Sequence, residues 1–351
     1  MVQKTAVCAA AGLLAMLCGA AHAQSNVTIY GLLDVFLEYG KANAHAFREQ
    51  SGGLNGSRLG FKGTEDLGGG LKANFVLEHG LLVDSGGLHD SSGKSFWNRQ
   101  IHVGLSDSWG SVSMGRQYSP LIVQQDTFDP APNTTGYGSA YNSGVLRTLS
   151  RVNNSVVYKS PSIGGFEGSL MYGLGENTLG TRYGAVLSGS AKYAAGPFAA
   201  GLAFLQQGKG DATQEDKSIW NLAGSYQIGD FQLLGALQRT RNDSQKANTV
   251  DDRNEFLLGG VYNFGANQIR ASWGQAKVKD ASDSTVRHVS VGFIHNLSKR
   301  TSLYAIAQEI HNPKNLAYRA SGYSFDAVEN GLPANAGVNA QAIGFGIRHR
   351  F

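Results

Sequence analysis

The sequence predicts an all-β fold, a closed transmembrane barrel of sixteen antiparallel strands. Glycine is abundant (47 residues), proline is scarce (7), and helix-period runs are hard to find. Alternating polar and apolar segments of about ten residues recur between turn residues, which is typical of membrane-spanning strands. The chain ends on such a segment, 342–351, and its last residue is aromatic. Soluble domains more commonly end in a polar tail, although this segment alone would also suit a soluble sandwich.

The amino terminus predicts export. Lys4 precedes an apolar run from Ala6 to Ala21, and Ala21-His22-Ala23 has the small-x-small form of a cleavage site. The run is too short to be a good transmembrane anchor. Cleavage after Ala23 divides the chain into a signal peptide, 1–23, and a barrel domain, 24–351, of 328 residues.

Composition excludes several classes of function. Both cysteines, Cys8 and Cys18, lie in the predicted signal peptide, so the exported domain has no thiol chemistry. Its histidines show no metal-ligand spacing, and we expect no cofactor. Without Lys4 the domain has 29 basic and 26 acidic residues, and this mild net charge of +3 does not suggest nucleic-acid binding. No apolar run approaches the ~18 residues of a spanning helix, so the domain can span a membrane only with strands.

The strands follow in order from this alternation. In the first, Val27, Ile29 and Leu33 alternate with Tyr30 and Asp34. The second and third are predicted near 58–62 and 71–78. The others are predicted near 96–106, 110–118, 151–160, 166–175, 183–195, 198–207, 217–228, 231–241, 253–264, 268–278, 285–297, 300–310 and 338–351. Sixteen strands leave about 20 residues for each strand and its connection, which suits strands of ~9–11 residues. A barrel of this width can hold an aqueous channel.

The connections alternate in length, as in a transmembrane meander with short periplasmic turns and long extracellular loops. Short turns are predicted at 161–165, 196–197, 229–230, 265–267 and 298–299, and aromatic residues cluster beside them as an interfacial girdle. The segment 119–150 has no good alternation, and a structureless loop of this length is usually functional. In a wide barrel it can fold inward and narrow the lumen; the alternative is an exposed surface loop.

Several long motifs carry a family resemblance. They are QSNVTIYGLLDV (24–35), SRLGFKGTEDLGGGLKANFVLE (57–78), NRQIHVGLS (98–106), GSVSMGRQY (110–118), RVNNSVVYKSP (151–161), HNLSKRTSLY (295–304) and GIRHRF (346–351). The chain resembles the general porins of Gram-negative bacteria, and more narrowly the trimeric, often anion-preferring porins of β-proteobacteria. The resemblance implies a homotrimer in the outer membrane, with the third loop folded into the pore as a constriction.

Charges at the narrowest point would set the selectivity of such a pore. Arg58 alternates with Leu59 and should face the lumen, as should Arg151, and both match arginines that the resembling family places at the constriction. Lys62 is a further candidate there. Loop carboxylates predicted to oppose these cations are Asp126 and Asp129. Other side chains that alternation directs into the lumen are Asp34, Glu38, Lys159 and Arg270.

Two arginines do not fit this simple alternation. Arg99 shares parity with Ile101 and Val103, and an arginine facing lipid at mid-depth costs ~2–4 kcal/mol. Either a β-bulge turns Arg99 inward to the constriction, or it faces a subunit contact or a rim. Arg116 shares parity with Met114, which favours a subunit interface.

The last strand is expected to pair with the first, because a closed barrel leaves no edge. Phe351 would then lie at the periplasmic rim. In the resembling family this aromatic residue is read by the outer-membrane assembly machinery, so its deletion should impair assembly more than conductance. Other expected partners are outer-membrane lipids and lipopolysaccharide.

The predicted function is passive diffusion of ions and small hydrophilic solutes, with a modest anion preference. A substrate-selective channel is the alternative, but it would usually show an aromatic or basic track, whereas the predicted lumen is mostly small and polar. An outer-membrane barrel enzyme would need a Ser/His or Asp/His constellation, and no motif nominates one.

Overall fold

The computed structural model describes residues 26–88, 95–131, 138–141, 143–210, 216–242, 252–279, 284–318 and 335–351. The predicted signal peptide and its cleavage site lie outside these residues. No helix in the described part of the chain is long and apolar enough to cross a membrane.

Within the described residues, seventeen strand segments and one helix build the fold. The strands are β1 (Asn26–Lys41), β2 (His45–Ser51), β3 (Arg58–Gly68), β4 (Leu71–Gly80), β5 (Gln100–Asp107), β6 (Gly110–Tyr118), β7 (Arg151–Lys159), β8 (Phe166–Gly173), β9 (Val186–Ala195), β10 (Phe198–Gln207), β11 (Lys217–Ile228), β12 (Phe231–Asn242), β13 (Arg253–Phe264), β14 (Asn267–Val278), β15 (Thr285–Asn296), β16 (Thr301–His311) and β17 (Ala340–Arg350). The helix is α1 (Pro120–Thr127), and it follows β6.

The segments form a closed barrel of sixteen antiparallel strands, because β2 and β3 share one place in the wall. The first half of β1 pairs with β3 and its second half with β2. We predicted β3 but not β2. The glycines at 52, 53 and 56 lie between β2 and β3, where they interrupt the strand and break the alternation of polar and apolar residues.

The predicted closing seam is confirmed. β1 pairs with β17 from Leu32 opposite Arg350 to Lys41 opposite Gln341. Beyond the ladder, the backbone N–H of Phe351 donates to the carbonyl of Gly31, and that of Gly31 to the carbonyl of Phe351, both at 3.1 Å. The terminal aromatic residue therefore belongs to the seam itself.

The two faces of the wall differ in chemistry. Large apolar side chains point outward and are well exposed, as in Ile29 (61 %) and Val103 (60 %). Aromatic residues flank the short turns; the rings of Phe166 and Tyr193, for example, lie 4.5 Å apart. Such a continuous apolar exterior is stable only where lipid or another subunit covers it.

The segment after β6 folds into the barrel. Ser119 caps α1 by accepting a hydrogen bond from the N–H of Ile122 (3.2 Å), and Pro120 occupies the first turn. Leu121 is fully buried in an apolar cluster with inward residues of β7–β11. The described residues of this loop, 119–131, 138–141 and 143–150, belong to the inward third loop that the sequence predicted.

Candidate pore constriction

Three arginines converge around one carboxylate on the inner wall. The Nε of Arg99 lies 2.6 Å from Oε1 of Glu78, and Nη1 of Arg58 lies 3.8 Å from Oε2. Tyr118 joins the group, because its hydroxyl accepts from Nη2 of Arg99 (2.6 Å) and Nη2 of Arg151 (3.1 Å). We call Arg58, Arg99, Arg151 and Glu78 the arginine cluster. Three cations against one anion leave it with an excess of positive charge.

Arg99 turns inward, which was one of the two alternatives for this residue. It lies just before β5, where the ladder has not yet fixed the faces, and its N–H donates to the carbonyl of Glu78 (3.3 Å). Ile101, the next residue of the same parity, faces outward. A bend before the strand, not a bulge within it, directs the arginine to Glu78.

Two lysines extend the positive surface. Lys62 is exposed on the inner face, and its Nζ lies 5.3 Å from the centroid of the Tyr30 ring. The Tyr30 hydroxyl donates to Oε2 of Glu78 (3.2 Å), which links Lys62 to the arginine cluster. Lys159 also faces inward and lines a cavity of about 200 Å³ between α1 and the wall.

Asp34 points into the barrel, as expected, but does not line the lumen. It is fully buried, and its carboxylate accepts from the N–H groups of Gly53 (3.0 Å), Leu54 (2.9 Å) and Asn55 (2.8 Å) and from the Tyr304 hydroxyl. The expectation of a lumen-lining charge was therefore wrong, because a folded segment covers the carboxylate.

We call that segment, residues 52–57, the inner segment. Gly52 has a φ of +84°, and a Cβ at Gly53 would collide with the Tyr304 ring. Nη1 of Arg348 donates to the side-chain carbonyl of Asn55 (2.6 Å), and Nε of Arg58 donates to the carbonyl of Gly56 (2.9 Å). The inner segment thus holds one member of the arginine cluster directly.

Glu38 is also directed inward and also fully buried. Nη2 of Arg48 lies 2.8 Å from its carboxylate, and the two residues are cross-strand partners on β1 and β2. Its charge is therefore matched locally and does not reach the lumen, contrary to our expectation. The partner, Arg48, lies on β2. Because the sequence did not predict β2, it could not show that Glu38 would be paired.

Asp129 was predicted to oppose the cations of the constriction, but its carboxylate binds other residues of the loop instead. Its carboxylate accepts from the Ser139 hydroxyl (2.6 Å) and the N–H of Ala131 (2.9 Å), so both of these partners belong to the loop itself. Burial raises the pKa of this carboxyl to about 7, against weaker opposing effects of both hydrogen bonds. Asp126 is half-buried nearby and raises this pKa slightly further. Arg270, inward and buried, lies on the same side and lowers it.

The returning half of the loop is fastened to the wall formed by β11–β13. The N–H of Arg147 donates to Oε1 of Glu255 (2.7 Å), whose other oxygen accepts from Gln238 (2.7 Å). Nη1 of Arg253 donates to the carbonyl of Val145 (3.3 Å) and the Tyr318 hydroxyl (2.9 Å). None of these wall residues was singled out from the sequence, since only the folded loop brings their partners to them.

Arg116 lies on the outward face, opposite Ile101 in the ladder. Its Nη1 donates to the side-chain carbonyl of Asn153 (2.6 Å), and its Nε to the backbone carbonyl of Asn98 (3.1 Å). The register of β6 shifts between Gly115 and Gln117. Arg116 thus forms a polar spot beside the outward apolar residues of β5 and β6, such as Ile101 and Met114.

Comparison with known proteins gives a consistent result. A family model described as Gram-negative porin matches residues 6–315. Outer membrane porin protein 32 of Delftia acidovorans is 33 % identical over 95 % of this chain and 96 % of its own length. An outer membrane porin protein of Bordetella pertussis (strain Tohama I) is 30 % identical, with 97 % of this chain and 98 % of its own length covered.

Solved structures agree with this. The anion-selective porin from Comamonas acidovorans superimposes with a TM-score of 0.80 at 28 % identity, covering 93 % of this chain and 100 % of its own. A trimer form of OmpT, an outer membrane protein of Vibrio cholerae, shares the fold with a TM-score of 0.68 at 17 % identity, covering 93 % of this chain and 99 % of its own. The chain belongs to the Gram-negative porin family.

Proposed function

We propose that this protein forms a water-filled channel through the bacterial outer membrane, by which ions and small hydrophilic solutes diffuse passively with a preference for anions. The observation that carries the proposal is the arginine cluster on the inner wall, in which Arg58 and Arg99 contact Glu78 and Arg151 joins them through the Tyr118 hydroxyl. Fixed cations beside an aqueous path raise the local concentration of anions and lower that of cations.

The buried state of the inward carboxylates supports this sign of selectivity. Asp34, Asp129 and Glu255 each bind donors of the inner segment or the loop and are almost fully buried. Arg58, by contrast, keeps 15 % of its side chain exposed, and Lys62 is exposed. Near the arginine cluster, these cations rather than the buried carboxylates therefore have access to a passing ion.

We assign the constriction to Arg58, Arg99, Arg151 and Lys62 on the wall. The half-buried Asp126 of α1 is the loop carboxylate that remains a candidate there, whereas Asp129 is not. Lys159 and Arg270 are further inward cations outside the arginine cluster.

A homotrimer is part of the proposal. The trimer form of the Vibrio cholerae relative supports it. So does Arg116, because a guanidinium on an outward wall is costly against lipid and is better placed against another subunit. The strands around it, β5–β8, have only 8 or 9 residues, against 12 in β11–β15. We propose that this short wall faces the other subunits.

The porin family and its barrel indicate a channel rather than an enzyme, and we propose that the protein catalyses no reaction. Phe351, placed in the seam, is proposed as the feature that the outer-membrane assembly machinery reads. The surrounding membrane lipids are the remaining partners.

The test is the reversal potential of the purified protein in a planar bilayer under a potassium chloride gradient. We expect an anion-selective value and conductance in groups of three equal steps. Arg58→Ala and Arg151→Ala should each shift the value toward cation selectivity. Lys192→Gln is the matched control, since Lys192 is paired with Glu167 at 2.8 Å. A cation-selective wild type, or equal shifts in the control, would refute the assignment.

A further inference from the structure

The cavity of about 200 Å³ between α1 and the inner wall lies next to the arginine cluster. Its wall side is formed by β7, β8 and β9, near the short turns 161–165 and 196–197. Tyr118 also lines the cavity, and its hydroxyl accepts hydrogen bonds from Arg99 and Arg151. A solute that has passed the arginine cluster toward the short turns therefore meets this cavity.

The wall side of the cavity carries one unmatched cation and one ion pair. Lys159 is exposed and has no carboxylate within ion-pair distance in the part of the chain that the structure describes. Glu167 and Lys192 are cross-strand partners 2.8 Å apart, and Glu167 keeps 47 % of its side chain exposed. Lys159 is opposite Ser169, two positions along β8 from Glu167, so the cation and the carboxylate lie on rows about 7 Å apart. A ligand that has both a carboxylate and an ammonium group can bridge these rows.

The helix α1 contributes an apolar surface to the same cavity. Val123 and Phe128 line it, and Val123 keeps 47 % of its surface exposed. An exposed apolar side chain gains free energy when an apolar group of a ligand covers it. The cavity therefore favours a ligand that carries an apolar group besides its charges.

Gln124 adds a buried acceptor to the α1 side. Its Nε2 donates to Oδ1 of Asn221 (2.9 Å), and its Oε1 has no hydrogen-bond partner among the described residues. Buried polar atoms without a partner are uncommon in folded proteins. The wall position next to this oxygen is Gly201, which is opposite Lys192 and so belongs to the row of the ion pair. That row therefore has an accessible carboxylate and an acceptor that lacks a donor, both of which favour an ammonium group.

We propose that this cavity binds a free α-amino acid with an apolar side chain. The carboxylate of the amino acid contacts Lys159, and its ammonium group contacts Glu167. Its side chain lies against Val123 and Phe128. A plain carboxylate would use Lys159 alone and a plain amine would use Glu167 alone, whereas an amino acid uses both. The inference rests on the proposed function, since the solute reaches the cavity through the open pore.

The experiment is saturation-transfer NMR of the folded, detergent-purified protein with L-leucine as the probe. We expect the leucine methyl signals to receive magnetisation from the protein. Three analogues compete for the wild-type protein: isocaproate lacks the ammonium group, isoamylamine lacks the carboxylate, and glycine lacks the side chain. Each should bind at least about five-fold more weakly than leucine, because each loses one contact. This series needs no variant and therefore does not depend on the folding of one.

Substitutions then assign the contacts. Lys159→Gln and Glu167→Gln should each weaken leucine binding about five-fold, the effect of one hydrated ion pair. Val123→Ser should weaken it about three-fold, because apolar contact area is lost. Isocaproate binding should fall in Lys159→Gln but not in Glu167→Gln, since this analogue has no ammonium group. Lys72→Gln is the matched control, a lysine of β4 that is exposed and does not line the cavity.

The outcomes separate the possible ligands and the two proposals. Isocaproate that binds as tightly as leucine would overturn the amino-acid assignment and leave a plain carboxylate site. Equal leucine binding in all variants would overturn the cavity as the site. Conductance in planar bilayers is measured on the same preparations. Normal anion-selective conductance without leucine binding would overturn this inference alone, whereas absence of conductance would overturn the proposed channel.

Discussion

The arginine cluster and the loop-bound wall of β11–β13 both contain arginine and glutamate side chains, but they differ in how far the folded chain covers these charges. On the loop-bound wall, Glu255 and Arg253 are buried and their polar atoms contact the backbone of the loop. On the other wall, Arg58 and Arg151 stay partly exposed, and one carboxylate is shared within the arginine cluster. A charge inside a barrel therefore acts on passing ions only where the folded chain leaves it uncovered.

The largest effect should come from removing the carboxylate of the arginine cluster. Glu78→Gln leaves the buried guanidinium of Arg99 without its anion, which typically costs about 3–5 kcal/mol. We expect a markedly lower melting temperature in detergent and, in barrels that fold, a stronger anion preference. Unchanged melting would mean that the other contacts of Arg99, which include the Tyr118 hydroxyl, satisfy its guanidinium without Glu78.

The loop side can be examined through Asp129. Its pKa is about 7 in the folded protein against an ordinary 3.8, so the folded state holds the proton more tightly. The resulting stabilisation is fully present below pH ~4 and is lost as the pH rises through ~7, with an upper limit of about 4 kcal/mol. Asp129→Asn is neutral throughout and should melt higher than wild type at pH 8.

The same comparison at pH 4 provides the control for Asp129→Asn. There the wild-type carboxyl is protonated in the folded state and about two-fifths protonated in the unfolded state, so most of the stabilisation is retained and the two proteins should melt at nearly the same temperature. A difference that does not vary between pH 4 and pH 8 would show that Asp129 is not the group that titrates.

The inner segment both covers a buried charge, that of Asp34, and supports an accessible one, that of Arg58. Asp34→Asn replaces one acceptor oxygen by an amide that faces N–H donors, which costs about 1–3 kcal/mol. We expect higher conductance and a weaker anion preference, because Arg58 loses the support of the carbonyl of Gly56. Loss of a negative charge alone would shift selectivity the other way, so the sign of the change in reversal potential decides.

Glu38→Gln is the matched variant for Asp34→Asn. Glu38 is equally buried on the same strand, but it binds Arg48 and not the inner segment. If both substitutions change conductance alike, the inner segment has no special part in positioning Arg58.

The smallest effect is expected at the ion pair of Lys192 and Glu167, which belongs to neither group. Its side chains are 35 % and 47 % exposed, and solvent screens their attraction. Glu167→Gln should change stability by less than about 1 kcal/mol. A larger drop in melting temperature would show that the inner face near the short turns is less hydrated than the exposure of this pair suggests.

Sequence alternation was sufficient for the barrel and its seam, because a period of two assigns each strand residue to a face without knowledge of its neighbours. It placed Arg58 and Arg151 inward for the same reason. It also directed Asp34 and Glu38 inward, but it could not show that the inner segment covers Asp34 or that β2 supplies a partner for Glu38. Nor could it place Asp129, whose partners Ala131 and Ser139 belong to the folded loop. For Arg99 the sequence showed that an arginine facing lipid would be costly, but it did not show the bend before β5 that turns this residue inward.

The hydrogen bond from Tyr304 to Asp34 has a consequence for the order of events during synthesis and insertion. The two residues are 270 positions apart, and β17 lies between their strands. Strands near the amino terminus cannot acquire this contact until the carboxyl-terminal strands arrive. The inner segment is therefore secured only at the end of assembly, and a barrel arrested before closure would be a wider and less discriminating hole than the finished pore.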